Sequence, residues 1–368
     1  MIQHRAFKKI ITILVCCHAL NSQAAELFVG GSHPSALHSI SEAIAKAPIG
    51  EPSNIYLAPG IYREKLEINK PQLSFYGDGS NTTISYDVYA GRPHPDGGNW
   101  GTWRSATVIV NADQISFNGI NIENSFDYLA NDALEKTDPR KLSGSQAVAL
   151  MLDKNADRFV FSNGEISGFQ DTLFTLAGRS IFYNSIIRGN VDFIFGAGTA
   201  VFINNTIEAM PRARAMQTIG FVTAPSTDIS TPYGLIFLHN TLVKTEGVQP
   251  DTMALGRPWH PTTTFEDGRY ADPGAIGQAV FIDNWMDDHI KFTAWHPMSG
   301  TSPSGAKLPF APENARFFEY QNCGPGAHVN SNRRQLNETE AHRFKLERIL
   351  KDWRPYEAFT INRICTSD

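Results

Sequence analysis

Long apolar runs, excess positive charge, cysteine and helical periodicity are all scarce in this sequence, and each scarcity removes a class of protein. After the first 25 residues no segment stays apolar for the roughly 20 residues that a membrane helix needs, so no membrane span is expected. The 32 Lys and Arg are outnumbered by 37 Asp and Glu, a formal net charge of −5, which is the wrong sign for a nucleic-acid footprint. Four cysteines in 368 residues are too few for a disulfide framework. Two of them, Cys16 and Cys17, lie in the N-terminal segment. The remaining pair, Cys323 and Cys365, would either bond in an oxidising compartment and tie down the C-terminal tail or stay as buried thiols. Helical spacing is confined to Leu37–Lys46 and to Glu338–Leu350.

What is present begins with a leader. Arg5, Lys8 and Lys9 precede an apolar stretch from Ile10 to Leu20, followed by the small residues Ser22, Ala24 and Ala25, the build of a secretory signal. The expected division is a signal over 1–25 and one domain over 26–368. Losing three cations and no acid takes the formal net charge from −5 to −8, so the expected product is a secreted, soluble, acidic chain.

The rest of the sequence repeats itself. A β-branched or apolar residue, a Phe and an Asn recur as Phe159-Val160-Phe161-Ser162-Asn163, Ile181-Phe182-Tyr183-Asn184, Val201-Phe202-Ile203-Asn204, Ile236-Phe237-Leu238-His239-Asn240 and Val280-Phe281-Ile282-Asp283-Asn284, with Ile115-Ser116-Phe117-Asn118 as an earlier relative. The Phe markers at 161, 182 and 202 set a period near 21. The wider gaps, 117 to 161 and 237 to 281, read as two rungs each. A period of 20 to 25 residues made of strands and turns is the mark of a solenoid, and parallel stacking of such strands gives a β-helix. A β-sandwich is the competing reading. Leu37–Lys46 would cap one end of the rod, covering strand edges. Tyr86–Ala106, Phe126–Gly144 and Thr223–Tyr233 break the period and read as loops that frame a site.

The register brings carboxylates together. Asp171 follows Phe161 by ten residues and Asp192 follows Phe182 by ten, so the two stand on successive rungs, roughly 4.8 Å apart. The same offset from Phe202 gives Arg212, predicting a column of Asp, Asp and Arg. Two carboxylates at that spacing cannot both ionise freely, which separates an acid from a nucleophile or base. Isolated turn aspartates usually only cap backbone amides, but these two lie among apolar and amide groups, in Gly168-Phe169-Gln170-Asp171-Thr172-Leu173 and Gly189-Asn190-Val191-Asp192-Phe193-Ile194-Phe195-Gly196. Leu255-Gly256-Arg257-Pro258-Trp259 adds a guanidinium able to grip one carboxylate through two parallel hydrogen bonds and an indole able to serve as a sugar platform.

Gly60-Ile61-Tyr62-Arg63-Glu64, Gln146-Ala147-Val148-Ala149-Leu150, the two Asp segments and Leu255–Trp259, in that order, resemble the five signature segments of pectin methylesterases. The resemblance spans residues 60–259 and implies a right-handed parallel β-helix. It also implies hydrolysis of the C6 methyl ester of galacturonate units in homogalacturonan without cofactor or metal. By this resemblance Asp192 is the nucleophile, Asp171 the acid and then the base, Gln146 and Gln170 the oxyanion donors, and Arg257 the partner that orients Asp192. Phe195, Trp259 and Arg212 align with substrate-contacting positions, and Val191, Phe174, Thr262 and Met298 are further cleft candidates whose alternative is ordinary packing.

Other classes fit less well. An inverting glycosidase needs its carboxylates roughly 6.5–9.5 Å apart, more than one rung allows, and the Asp-Asp and Gly-His-Gly clusters of polygalacturonases are missing, Asp287-Asp288 standing alone. A calcium-dependent lyase would need an oxygen-rich cluster. A related esterase or thioesterase acting on another acyl group, and a carbohydrate-binding β-helix without activity, are the remaining alternatives. The expected partner is methyl-esterified homogalacturonan, with no nucleic acid and no membrane, and the expected state is a monomer.

Overall fold

The computed structural model describes residues 24–365, so the segment read as a secretion signal lies, but for its last two residues, outside the described residues. The first strand, Ala25–Val29, pairs with Ser53–Leu57. The chain then coils into a right-handed parallel β-helix of three sheets, with ten, eight and seven strands.

The ten-stranded sheet carries the Phe repeat. Phe75, Phe117, Phe161, Phe182, Phe202, Phe237 and Phe281 are register partners on seven consecutive rungs, and all are fully buried. Their ring centroids lie 4.9 Å apart from 182 to 202, 4.4 Å from 202 to 237 and 4.3 Å from 237 to 281. The spacing widens to 6.4 Å between Phe161 and Phe182, where Phe159 packs against Phe182 at 5.9 Å. Burying one such ring removes enough apolar surface to contribute roughly 1.5–3 kcal/mol, so the ladder is a main source of the rod's cohesion.

Phe117 pairs directly with Phe161, and Phe237 with Phe281. Each 44-residue interval is therefore one rung carrying an insertion, not two rungs. Parallel strands tolerate this because a loop leaving the rod returns to the same hydrogen-bonding site at little added entropic cost.

The turns after the ladder strands place Asn163, Asn184 and Asn204 at positive φ, and His239, Asp283 and Gln321 take over that position on later rungs. Asn tolerates this region better than most residues. Beside it runs a second ladder, in which the Ser185 amide donates to Asn205 Oδ1 at 3.0 Å, Asn205 to Asn240 at 2.9 Å, Asn240 to Asn284 at 2.8 Å and Asn284 to Asn322 at 3.0 Å. Asn240 and Asn284 thus match Asn205 in place of Asn204.

The N-terminal cap is a helix over Ile40–Lys46. Ser39 Oγ accepts from the Glu42 amide, and the Glu64 carboxylate accepts from the Ile40 and Ser41 amides at 2.8 and 3.0 Å, closing amides that the first turn leaves free. Glu64, the last residue of the first signature segment, is therefore a helix cap. The C-terminal helical stretch is broken into Glu338–Ala341, His342–Phe344 and Leu346–Leu350, because Lys345 is extended at φ −69°, ψ 142°. The break lets Phe344, Leu346, Ile349 and Leu350 press onto Ile181, Val201, Ile203, Ile236 and Val280 on the outer face of the ladder sheet. Cys323 and Cys365 form a disulfide that fastens this tail.

Candidate active site

The seven-stranded sheet lies away from the tail and bears the acid pair. Leu173 pairs with Ile194 and Ile194 with Thr223, so Asp171 is the register partner of Asp192, and Asp192 is that of Phe221. The predicted column fails at its third member. An insertion between the strands Thr206–Ala209 and Gly220–Pro225 lengthens that rung from 21 residues to 29, and Arg212 lies in the insertion. Its guanidinium binds Asp132 through Nε at 3.1 Å and Nη2 at 2.6 Å and lies 5.6 Å from the Tyr128 ring. The same insertion corrects the expected loop over Thr223–Tyr233, whose first three residues are strand.

Both aspartates have positive φ, 62° for Asp171 and 50° for Asp192. A short polar side chain can adopt this conformation at modest cost, and strain of this kind collects at functional sites. Only 9% of Asp171 and 7% of Asp192 is exposed. Arg257 grips Asp192 bidentately, Nε to Oδ1 at 2.8 Å and Nη2 to Oδ2 at 2.5 Å. The guanidinium itself lies 3.9 Å from the centroid of Phe221, so the ring standing where an Arg was expected carries the Arg that binds Asp192.

The two acids titrate differently. Burial, reinforced by the Asp192 charge, drives Asp171 well above the ordinary carboxylate range, against the opposing pull of Arg257. Burial also raises Asp192, but the hydrogen bonds and charge of Arg257 oppose it directly. The arrangement favours a protonated Asp171 beside an ionised Asp192.

A cleft of about 260 Å³ opens over the pair. Of the residues proposed from the sequence, Gln146, Gln170, Arg257, Phe195, Trp259 and Met298 line it, together with Thr102, Trp103 and Ala224, which the sequence reading missed. Phe174 is fully buried and backs the wall, stacked on Phe195 at 4.2 Å and edge-on to Trp103 at 5.0 Å. Val191 packs with Phe221 and Ala254, and Thr262 is exposed on a hairpin, Thr262–Phe265 with Gly268–Ala271; neither lines the cleft. Trp103 was missed because it enters from an irregular segment with no rung period, although two indoles in Asn99-Trp100-Gly101-Thr102-Trp103 were a readable signal. Among the described residues no cluster of three or more His, Cys, Asp or Glu side chains could hold a metal ion. What the cleft offers is an ionised carboxylate, a protonated one a rung away, two amides and an apolar wall, the set needed for acyl transfer.

A family model described as Pectinesterase matches residues 27–352. Pectinesterase A of Dickeya dadantii is 39% identical over 355 residues, covering 94% of this chain and 96% of the relative. A solved pectin methylesterase in complex with a hexasaccharide is 40% identical with a TM-score of 0.87, covering 90% of this chain and 99% of that one. The pectin methylesterase of Yersinia enterocolitica is 44% identical with a TM-score of 0.83, covering 86% of this chain and all of that one.

Proposed function

The chain belongs to the pectinesterase family, and from that premise we propose a division of labour among the residues of its cleft. The enzyme removes methyl groups from esterified homogalacturonan, releasing methanol and leaving pectate. Asp192, held ionised by Arg257, attacks the ester carbonyl carbon. The oxyanion that forms is met by the side-chain amides of Gln146 and Gln170. Methoxide leaves as methanol with the proton of Asp171, leaving an acyl group on the Asp192 carboxylate. Asp171, now ionised, takes a proton from water, whose oxygen attacks the acyl carbon, and Asp192 is freed. The single observation that carries this reading is the unequal pair, two buried acids on adjacent rungs of which only Asp192 is gripped by a bidentate cation.

Trp259, Phe195 and Met298 are read as the apolar wall for the sugar chain, since they line the cleft beside the two aspartates. We place the enzyme outside the cytoplasm on the strength of the N-terminal leader pattern and the Cys323–Cys365 disulfide. No helix among the described residues is long and apolar enough to cross a membrane. The test is methanol release from highly methylated pectin, measured beside small acyl esters and repeated in chelator. Pectin should be strongly preferred and chelator without effect. Preference for a small acyl ester would overturn the substrate, and loss of activity in chelator would overturn the metal-free scheme.

A further inference from the structure

Resting on the esterase reading of the cleft, we propose that Trp103 is a specificity-determining residue that receives an esterified sugar unit, and that Lys65 is the residue that positions it.

Trp103 belongs to the single helical turn Gly101–Arg104 and is 44% exposed, although it lines the cleft beside both aspartates. Its ring stands edge-on to Phe174 and lies 6.5 Å from Trp259, tilted by 56°. Carbon surfaces in contact sit about 3.5–4.0 Å apart, so clamping a sugar ring between two indoles would take roughly 7–8 Å. The two rings are instead tilted against each other where both line the cleft, a surface that can meet the C–H face of a pyranose or an ester methyl.

The cations around this indole are already engaged. Arg104 donates to the Trp100 and Asn99 carbonyls at 2.9 and 2.6 Å, Lys65 Nζ to the Ala106 carbonyl at 2.6 Å, and Arg257 to Asp192. A methyl ester loses nothing against such a surface, whereas a free carboxylate would be dehydrated without a partner. Trp103 therefore favours substrate over product.

A four-residue helix has no stability of its own, so the indole is held from outside. The Trp100 amide donates to the Arg92 carbonyl at 2.9 Å and the Gly101 amide to Ala90 at 2.8 Å. Lys65, on the neighbouring rung, fixes the far end at Ala106 and lies 5.5 Å from the Trp100 ring centroid. Its ammonium bridges the rod and the segment on both sides of Trp103.

The experiment compares the full chain with Trp103→Ala and Trp103→Phe, using KM and kcat for highly methylated pectin and the inhibition constant of unesterified polygalacturonate. Trp103→Ala should raise KM about tenfold with kcat within about twofold, and leave the inhibition constant unchanged. Trp103→Phe should retain most of the binding. Lys65→Met should raise KM in the same direction, with Lys65→Arg restoring it, and thermal unfolding of each variant verifies folding. An unchanged KM in Trp103→Ala, a kcat loss in place of the KM rise, or an inhibition constant that rises in step with KM would overturn the proposal. Failure of the wild-type chain to release methanol would instead overturn the function on which it rests, so the two failures are told apart by the wild-type arm.

Discussion

Two arginine–carboxylate pairs, built on the same bidentate geometry, one buried and the other partly so, serve opposite ends in this molecule. At the ladder sheet, Arg333 binds Glu319 through Nε at 2.8 Å and Nη2 at 2.5 Å and donates from Nη1 to the Gly326 carbonyl at 2.7 Å, with side chains 0% and 2% exposed. At the cleft, Arg257 binds Asp192 in the same manner, but Asp171 stands one rung away. The first cluster balances one acid with one base, and each guanidinium nitrogen donates to an oxygen. The second has a surplus acid whose charge the fold disfavours. Complete pairing makes an inert joint, and the surplus carboxyl makes a proton donor.

The largest effect separating the two regions should come from Asp192→Ala. Methanol release is expected to fall on the order of 10⁴-fold or more, as for other nucleophile deletions, while unfolding stays cooperative. Full activity in a folded Asp192→Ala variant would remove the nucleophile from the mechanism. Glu319→Ala should do the reverse. Removing one partner of a buried pair leaves an uncompensated charge and costs about 3–5 kcal/mol, a drop of roughly 4–7 °C in midpoint for a chain of this size. Turnover per folded molecule at room temperature should be kept. If Glu319→Ala unfolded with the wild type, the inert joint would not be holding the tail end of the rod. A double change, Glu319→Met with Arg333→Leu, should recover much of the loss because an apolar pair of similar volume is often as stable.

The contrast also accounts for what the sequence could disclose. Phe161, Phe182 and Phe202 stand 21 and 20 residues apart because those rungs have no insertion, and where the period is unbroken, register can be counted. That count brought Asp171 to Asp192. It failed for Arg212, because the extra residues before Gly220 fall outside the repeat, and it doubled the rungs between Phe117 and Phe161 for the same reason. Arg257 was legible from its own tripeptide, whereas Phe221, the ring beneath it, was not. Trp103 depends on Gly91 and Gly144, at whose close approach a Cβ on Gly91 would stand 1.7 Å from the Ser143 carbonyl oxygen. Contacts between two loops leave no period to read. The Arg333–Glu319 pair was equally silent, since its partners are 14 residues apart and belong to no repeat.

The smallest shift in stability is the most pointed one, and it concerns the surplus acid directly. Asp171 has an ordinary carboxyl value near 3.8 when unfolded, and burial followed by the Asp192 charge raises it well above that in the folded chain. Between those two values the folded chain binds more protons than the unfolded one, so the group's contribution to stability is complete below about pH 4 and is lost as pH rises through the folded value. Asparagine has no proton to lose and escapes that loss. Asp171→Asn should therefore lower methanol release on the order of 10²- to 10⁴-fold. It should unfold within about 1 °C of wild type at pH 3.5, yet roughly 2–4 °C above it at pH 8. Thermal unfolding of both chains across that pH range measures the difference. A gap that stays constant with pH would mean that Asp171 titrates as an ordinary carboxylate, and the asymmetry between the two aspartates would then have to come from Arg257 alone.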